Sequence, residues 1–185
     1  MKLVDSLIPS VTTFIETGTA AGTTLAHVAR LYPWLSCFSC EADPRVADIA
    51  RENLKNHNQR KAHIHTGKSL DFLEMVTNQF KLNEQPALFW LDAHSHGYGC
   101  PVRGEVEFIL SHWKSGYILI DDFKNPHNNK WKFDTYDDGV LGIERLHGMA
   151  RPVFYPNYDP TFGSRGWCLV PIGSMNKPTC IPMVP

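Results

Sequence analysis

Residues 12–24 (TTFIETGTAAGTT) constrain the fold of this chain more than any other part of the sequence. Residues 11–15 are mostly β-branched or aromatic and predict a strand, and residues 25–31 have the apolar spacing of a helix. Between them, Gly18 and Gly22 lack the Cβ atom that would prevent a tight turn or the close approach of a ligand. The stretch therefore predicts a strand–turn–helix unit, the usual nucleotide-binding corner of an α/β sheet.

The charge at this turn restricts the ligand. Phosphates of a dinucleotide or a triphosphate bind N–H groups at the start of such a helix, where an ionised carboxylate at the strand end would repel them. Glu16 is such a carboxylate. Unlike those phosphate ligands, S-adenosylmethionine carries an ammonium and a sulfonium, and an acid attracts both. Ala20 and Thr23 also stand where the dinucleotide motif G-x-G-x-x-G needs its second and third glycines. The turn therefore favours S-adenosylmethionine over NAD.

Residues 16–22 (ETGTAAG) resemble the first motif of the class I S-adenosylmethionine-dependent methyltransferases, an acidic residue followed by glycine and a turn of small residues. Ala20 is a modest departure from that motif. The resemblance covers residues 12–171 and implies a Rossmann-like α/β fold, with helices on both faces of a mostly parallel seven-stranded sheet of order 3-2-1-4-5-7-6. It implies cofactor contacts from this turn by Glu16, Gly18, Thr19, Gly22 and Thr23.

Length and composition are those of one globular domain. A chain of 185 residues is long enough for one full core and too short for two domains of ordinary size, so we expect a single methyltransferase domain over residues 1–185. The net charge of −1 provides no global basic field, and we expect no nucleic-acid partner. The N-terminus lacks the apolar run of a signal peptide, and no stretch is long enough to span a bilayer. We therefore expect a cytoplasmic protein without membrane contact, and a homo-oligomer stays open.

The next two predicted strands, residues 36–41 and 61–66, place further polar groups at the same edge. Glu41 ends the first of them, where an acid can accept both hydrogen bonds from a ribose diol, and Ala42 follows it. The alternative is an exposed acid favoured by the dipole of the next helix. After the second strand, the resemblance implies adenine contacts from Lys68 and Ser69, although Ser69 alone is also a suitable helix cap.

Two strongly apolar runs, residues 87–91 and 116–120, predict strands buried on both faces, and each is followed by acids. Asp92 follows the first run, and Asp121 and Asp122 follow the second. Adjacent parallel strands lie about 4.8 Å apart, so these carboxylates could converge on one cation. Hard oxygen ligands favour magnesium, calcium or manganese. The alternative is that Asp92 and one of the pair only cap helices or bind loop amides.

At these residues the sequence resembles the metal-dependent O-methyltransferases of the catechol, caffeoyl and macrolide-sugar types. Those enzymes place an Asp after the fourth strand and an Asp-Asp or Asp-Asn pair after the fifth, which Asp92, Asp121 and Asp122 match. The resemblance implies methyl transfer from S-adenosylmethionine to an oxygen of a small-molecule hydroxyl acceptor, assisted by Mg²⁺ or another divalent cation. Asp92 and His94 are the predicted catalytic residues, because a neutral imidazole can take the proton of the hydroxyl. The resemblance also implies cofactor contacts from Asp92 and Ala42. Phenols, sugar hydroxyls and other small alcohols stay open as acceptors.

Two other functions remain open at this point. A metal-dependent hydrolase would use Asp92, His94 and His96, but such a site needs further ligands that the sequence does not identify, and it leaves the Gly18 turn unexplained. A binding module that has lost catalysis would keep the cofactor fold, and only measured turnover separates it from an enzyme. Whatever the function, the alternative for His94 and His96 is that they only hydrogen-bond loop backbone.

The remaining segments complete the expected fold. Residues 124–139 are polar and aromatic with little periodicity and predict an irregular lid that is mobile without ligand. A helix is predicted over residues 140–149, followed by a closing strand pair at residues 152–155 and 166–171. Cys37 and Cys40 should point to opposite faces of one strand and share neither a disulfide nor a zinc ion.

Overall fold

The computed structural model of the protein describes residues 2–56, 62–94, 99–149, 151–179 and 181–185. Helices and strands alternate through the first two thirds of the chain, and short strands follow. The helices are α1 Lys2–Leu7, α2 Thr23–Leu31, α3 Pro44–Asn56, α4 Ser69–Asn78 and α5 Val102–His112, with 3₁₀ turns at Ile8–Ser10, Leu82–Glu84 and Ile143–Leu146. The strands are β1 Thr13–Thr17, β2 Ser36–Glu41, β3 Ala62–Thr66, β4 Ala87–Leu91, β5 Gly116–Asp121, β6 Thr135–Tyr136, β7 Gly139–Val140, β8 Tyr155–Pro156, β9 Trp167–Ile172 and β10 Met183–Val184.

The central sheet has the order β3-β2-β1-β4-β5-β9. Its first five strands are parallel, and β9 runs antiparallel to β5. The carboxyl ends of the five parallel strands therefore meet at one edge, with the β1 and β4 ends in the middle of the sheet. Chain connections reverse direction between these two strands, and this is the position at which open α/β sheets bind ligands.

Each face of the sheet is covered by its own apolar cluster. Side chains of α4 and α5 pack on one face, and side chains of α1, α2 and α3 pack on the other. Alternation along a strand divides its residues between the two faces. Cys37 accordingly packs with one cluster and Cys40 with the other, and both thiols are free, as predicted.

Two predictions for the C-terminal third are wrong. Among the described residues the sheet has six strands and not seven, because residues 152–155 pair with it only through the backbone hydrogen bonds of Phe154 and Leu169. Pro152 and Pro156 lack N–H donors and cannot extend that ladder. The predicted helix over residues 140–149 is a single 3₁₀ turn.

Two glycines account for that short turn, and the segment before it is more regular than predicted. Gly142 is extended, and Gly148 is left-handed with a φ of +87°. Within residues 124–139, β6 and β7 form a hairpin, and the Asp134 N–H donates to the Asp122 carbonyl at 3.0 Å. The expectation of an irregular segment is therefore wrong for this hairpin, whereas its mobility stays a prediction.

None of the helices in the described part of the chain has the length and apolar character that a membrane crossing requires.

Candidate active site

The turn after β1 contacts the end of β4, and this contact requires a glycine. Gly18 has a φ of +85°, and a Cβ atom at this position would lie 2.2 Å from the backbone oxygen of Asp92. The N–H groups of Gly18 and Thr19 donate to the Cys40 carbonyl at 3.0 and 2.9 Å, and that of Gly22 donates to the Thr19 carbonyl. These amides are therefore engaged within the protein and do not form a cradle for phosphate.

Glu41 at the end of β2 is held by two backbone amides. The N–H of Ala20 donates to one carboxylate oxygen at 2.9 Å, and the N–H of Asp43 donates to the other at 3.0 Å. Ala20 adopts a left-handed φ of +46° to make this contact. A carboxylate has about four acceptor positions, so Glu41 can still accept hydrogen bonds from a ligand diol.

A cavity of about 570 Å³ lies at this edge, between the turn after β1 and the start of α4. Its rim includes Leu70, an apolar side chain that is 41% exposed. Acidic side chains predominate among the charged groups of the lining: Glu41, Asp43, Asp71 and Asp92, against Lys68. Six of the residues predicted to bind the cofactor line the cavity: Gly18, Glu41, Ala42, Lys68, Ser69 and Asp92.

The other predicted cofactor residues lie outside this lining. Thr19 is buried and its hydroxyl lies 2.5 Å from that of Ser39. Gly22 and Thr23 line a separate depression beside α2, where Gly22 packs against Ala50. They therefore shape the turn, and a ligand in the cavity would not contact them directly.

Glu16 lies beneath the turn and is almost completely buried. The Ser39 hydroxyl donates to its carboxylate at 2.6 Å. Burial raises the pKa of Glu16 to about 8, and the negative charges of Asp92 and Glu41 add to this effect. At neutral pH Glu16 is therefore mostly protonated and uncharged.

Sequence reasoning missed a second buried acid, Glu105 in the first turn of α5. Its side chain is wholly buried, and both carboxylate oxygens lack a hydrogen bond of normal geometry. Burial raises the pKa of Glu105 to about 7, and the nearby hydroxyls of Ser69 and Thr17 lower it. An apolar-patterned helix gives no sign that one of its acids faces inward, so no sequence signal identified this residue.

Asp92, His94 and Asp122 come together where β4 and β5 end. Their ligand atoms all lie within 4.8 Å of one another. The His94 Nε2 atom is 3.8 Å from Asp92 Oδ1 and 3.9 Å from Asp122 Oδ2, distances too long for hydrogen bonds. The His94 ring is completely buried, and neither of its nitrogens has a hydrogen-bond partner among the residues that the structure describes. A buried, unpartnered imidazole that faces two carboxylates is suited to hold a divalent cation between them.

The protonation of this cluster follows from its burial. Burial raises the pKa of Asp92 to about 8, and the charges of Asp121 and Asp122 raise it further. Burial lowers the pKa of His94 to about 4, so the imidazole is neutral at neutral pH. A neutral imidazole can bind a cation or take a proton.

Arg165, in the loop before β9, is a further contributor that sequence reasoning missed. Its guanidinium pairs with Asp122 and with Asp134, and its charge acts on His94 together with that of Arg145. Asp122 itself is left-handed, with a φ of +55°. Arg165 is remote in sequence and follows no motif, so only the fold reveals the contact.

Two predicted residues do not join the cluster. Asp121, a predicted metal ligand, is outside the group formed by Asp92, His94 and Asp122, and it lines a different cavity. Asp121 is the last residue of β5, whereas Asp122 lies beyond the strand in a left-handed conformation, which separates the two side chains. Burial raises the pKa of Asp121 to about 6. His96 lies outside the described residues.

Comparison with known proteins gives structural likeness only. No family model matches the sequence, and no curated protein matches it. An O-methyltransferase from Bacillus cereus, solved in complex with SAH, has a TM-score of 0.64 at 21% identity, over 92% of this chain and 78% of that chain. The O-methyltransferase TomG from Streptomyces achromogenes, solved with SAM, has a TM-score of 0.67 at 16% identity, over 92% and 77%.

An RNA methyltransferase from Salinibacter ruber, in complex with S-adenosyl-L-homocysteine, is also similar, with a TM-score of 0.54 at 14% identity over 95% of this chain and 92% of that chain. These neighbours differ in what they methylate but agree in architecture. The chain therefore has the Rossmann-like fold of the S-adenosylmethionine-dependent methyltransferases.

Proposed function

We propose that the protein is an S-adenosylmethionine-dependent methyltransferase that methylates an oxygen of a small-molecule acceptor. The observation that carries this proposal is the acid-rich cavity at the carboxyl edge, whose neighbouring turn amides are already hydrogen-bonded within the protein. Such a cavity attracts a ligand with an ammonium and a sulfonium and repels a pyrophosphate. The fold shared with O-methyltransferases supports the same reading.

Residues at different positions in the cavity are suited to bind different parts of the cofactor. Glu41 accepts the ribose hydroxyls, and Lys68, Ser69 and Leu70 border the space that remains for the adenine. Gly18 and Asp92 lie at the other end, where the charged amino-acid part would bind. S-adenosylmethionine supplies a methyl group on a positively charged sulfur that is ready for displacement by a nucleophile.

A divalent cation fits the Asp92, His94 and Asp122 cluster. Two carboxylates and a buried imidazole without hydrogen bonds supply three donor atoms. The nitrogen donor shifts the preference from magnesium towards manganese or zinc. When bound, such an ion orients a hydroxyl and lowers its pKa.

The acceptor's proton has a defined destination in the site. Methyl transfer forms an oxygen–carbon bond and breaks the sulfur–carbon bond, whose electron pair stays on sulfur, and the hydroxyl proton must leave. Without a cation, neutral His94 is the base that can take it. With a cation on the cluster, the same imidazole would be a metal ligand. A comparison of activity with and without the ion therefore distinguishes His94 as a base from His94 as a ligand.

Two other functions have less support. A hydrolase built on Asp92, His94 and His96 leaves the acid-lined cavity and the Gly18 turn without a role. An inactive binding module has no missing residue in its favour. Four expectations stay predictions: a single domain over residues 1–185, no nucleic-acid partner, a homo-oligomer and a cytoplasmic location.

The test is calorimetric binding followed by turnover. We expect S-adenosylmethionine and S-adenosylhomocysteine to bind and NAD not to bind. The control is Glu52→Gln, which removes an exposed acid on α3 and should leave binding unchanged. Methyl transfer from labelled S-adenosylmethionine is then measured with phenols, sugars and other alcohols, with and without EDTA. Binding of NAD while neither sulfur ligand binds would overturn the proposal.

A further inference from the structure

A second cavity, of about 490 Å³, lies on the opposite face of the sheet from α4 and α5. Side chains near the carboxyl ends of β4 and β5 and at the start of β9 form its floor, and the first half of α1 forms one wall. The floor is made by Trp90, Leu119, Asp121 and Trp167. Most of the remaining lining is apolar, with the Tyr158 ring at one side.

Strand register explains why an acid and two indoles share this cavity. Asp121 and Trp167 are direct partners in the antiparallel β5–β9 pair, and Trp90 is the partner of Leu119 in the parallel β4–β5 pair. Side chains of directly opposed residues lie about 5 Å apart on one face of a sheet. The Asp121 carboxylate is thus flanked by flat aromatic surface.

The charge of Asp121 is not balanced in the way that its neighbour's is. Arg165 pairs with Asp122 and acts on Asp121 only through its charge, and none of the ion pairs found among the described residues includes Asp121. The lining of the cavity contains one basic residue, Lys2, whose side chain is exposed. A partly buried carboxylate in apolar surroundings is stabilised by a cation, and aromatic faces stabilise organic cations.

This cavity and the cofactor cavity both have lining residues near the end of β4. Trp90 lines the first, and Asp92, two residues later, lines the second. The charge of Asp121 also raises the pKa of Asp92, as expected for side chains that lie close together. A ligand seated between the indoles would thus lie beside the edge that carries Asp92 and His94.

We infer that this second cavity binds the methyl acceptor, and that the acceptor is an aromatic hydroxyl compound that carries a protonated amino group. The ring lies between the Trp90 and Trp167 indoles, the ammonium pairs with Asp121, and the hydroxyl faces the edge with Asp92 and His94. The charge of Arg165 acts on Asp121 without forming an ion pair with it. A neutral acceptor therefore leaves Asp121 without a direct partner among the described residues, and an anionic one is repelled. The identification of the ligand as the methyl acceptor rests on the proposed function. The charge preference of the cavity does not depend on it.

The test uses three phenols that differ only in side-chain charge: tyramine, 4-ethylphenol and 3-(4-hydroxyphenyl)propionate. Binding to the full chain is measured by calorimetry and by quenching of tryptophan fluorescence, with and without S-adenosylhomocysteine. We expect tyramine to bind at least tenfold more tightly than 4-ethylphenol, and the propionate to bind most weakly. Asp121→Asn should remove the preference for tyramine, and Trp167→Leu should weaken all three probes.

The matched control is Asp48→Asn, the same chemical change on the exposed side of α3, which should keep the wild-type order. Circular dichroism verifies that the variants are folded, and the order of the three probes on wild-type protein needs no variant at all. Equal or tighter binding of 4-ethylphenol or the propionate would overturn the inference, as would an unchanged preference in Asp121→Asn. If S-adenosylmethionine does not bind while tyramine does, the proposed function fails and the charge preference stands.

Discussion

Replacing Glu16 by glutamine removes a buried acid while keeping the oxygen that accepts from Ser39. The pKa of Glu16 rises from 4.5 to about 8 on burial in the folded protein. The folded state therefore keeps this proton to higher pH than the unfolded chain does. The stability that protonated Glu16 contributes is complete below about pH 4.5 and is lost as the pH rises towards 8.

The size of this loss follows from the pKa shift, because one pKa unit corresponds to about 1.4 kcal/mol. Between pH 5.5 and pH 8 the wild-type protein should lose about 3 kcal/mol through Glu16 alone, whereas Glu16→Gln has no such proton to lose. The difference in free energy of unfolding, variant minus wild type, should rise by that amount. Asp92, Glu105 and His94 titrate in both proteins, and their contributions largely cancel in the difference.

Denaturant unfolding followed by circular dichroism at the two pH values, without cofactor, measures the difference. Glu52→Gln on the surface of α3 is the control, and its difference from wild type should stay constant within about 0.5 kcal/mol. A change for Glu16→Gln of less than about 1 kcal/mol between the two pH values would refute the reasoning that burial holds Glu16 in its protonated form.

Three further predictions concern the site itself. Glu41→Ala should weaken S-adenosylmethionine binding by about 1–3 kcal/mol in calorimetry, because the ribose hydroxyls lose a charged acceptor. His94→Asn should raise the Kd for Mn²⁺, followed by its electron paramagnetic resonance signal, at least tenfold, and an unchanged Kd would exclude His94 as a ligand. Amide hydrogen exchange in residues 124–139 should slow when cofactor and acceptor bind, and complete protection in the free protein would contradict the lid prediction.

The sequence predicted the parts of the fold that depend on local patterns. Apolar runs marked the central strands, and the alternation of strand and helix predicted a parallel sheet. The order of its five parallel strands came from the resemblance to the methyltransferases. Gly18 was identifiable from its place between a predicted strand and a predicted helix. In the structure only glycine permits its contact with Asp92. Glu41 was placed in the cavity because it ends a strand that neighbours β1.

The sequence did not predict contacts made between distant segments. Arg165 meets Asp122 and Asp134 through the return of β9 beside β5, which no local pattern encodes. Asp121 and Asp122 look equivalent in sequence, yet Asp121 ends β5 and the left-handed backbone of Asp122 directs its side chain elsewhere. The resemblance to metal-dependent enzymes placed both aspartates among the predicted metal ligands. In the structure the candidate metal cluster contains His94 in place of Asp121.

The buried acids of the site imply a final prediction about cofactor and product. Glu16 and Asp92 both have a pKa of about 8, so near neutral pH each is largely protonated in the empty protein. The sulfonium of S-adenosylmethionine favours their ionised forms, and binding should release protons, whereas S-adenosylhomocysteine has a neutral sulfur and should release fewer. The affinity ratio of the two ligands, measured by calorimetry between pH 6 and pH 9, should therefore shift towards S-adenosylmethionine as the pH rises. An affinity ratio independent of pH would mean that the sulfonium does not favour ionisation of either acid. The release of S-adenosylhomocysteine would then require a different explanation.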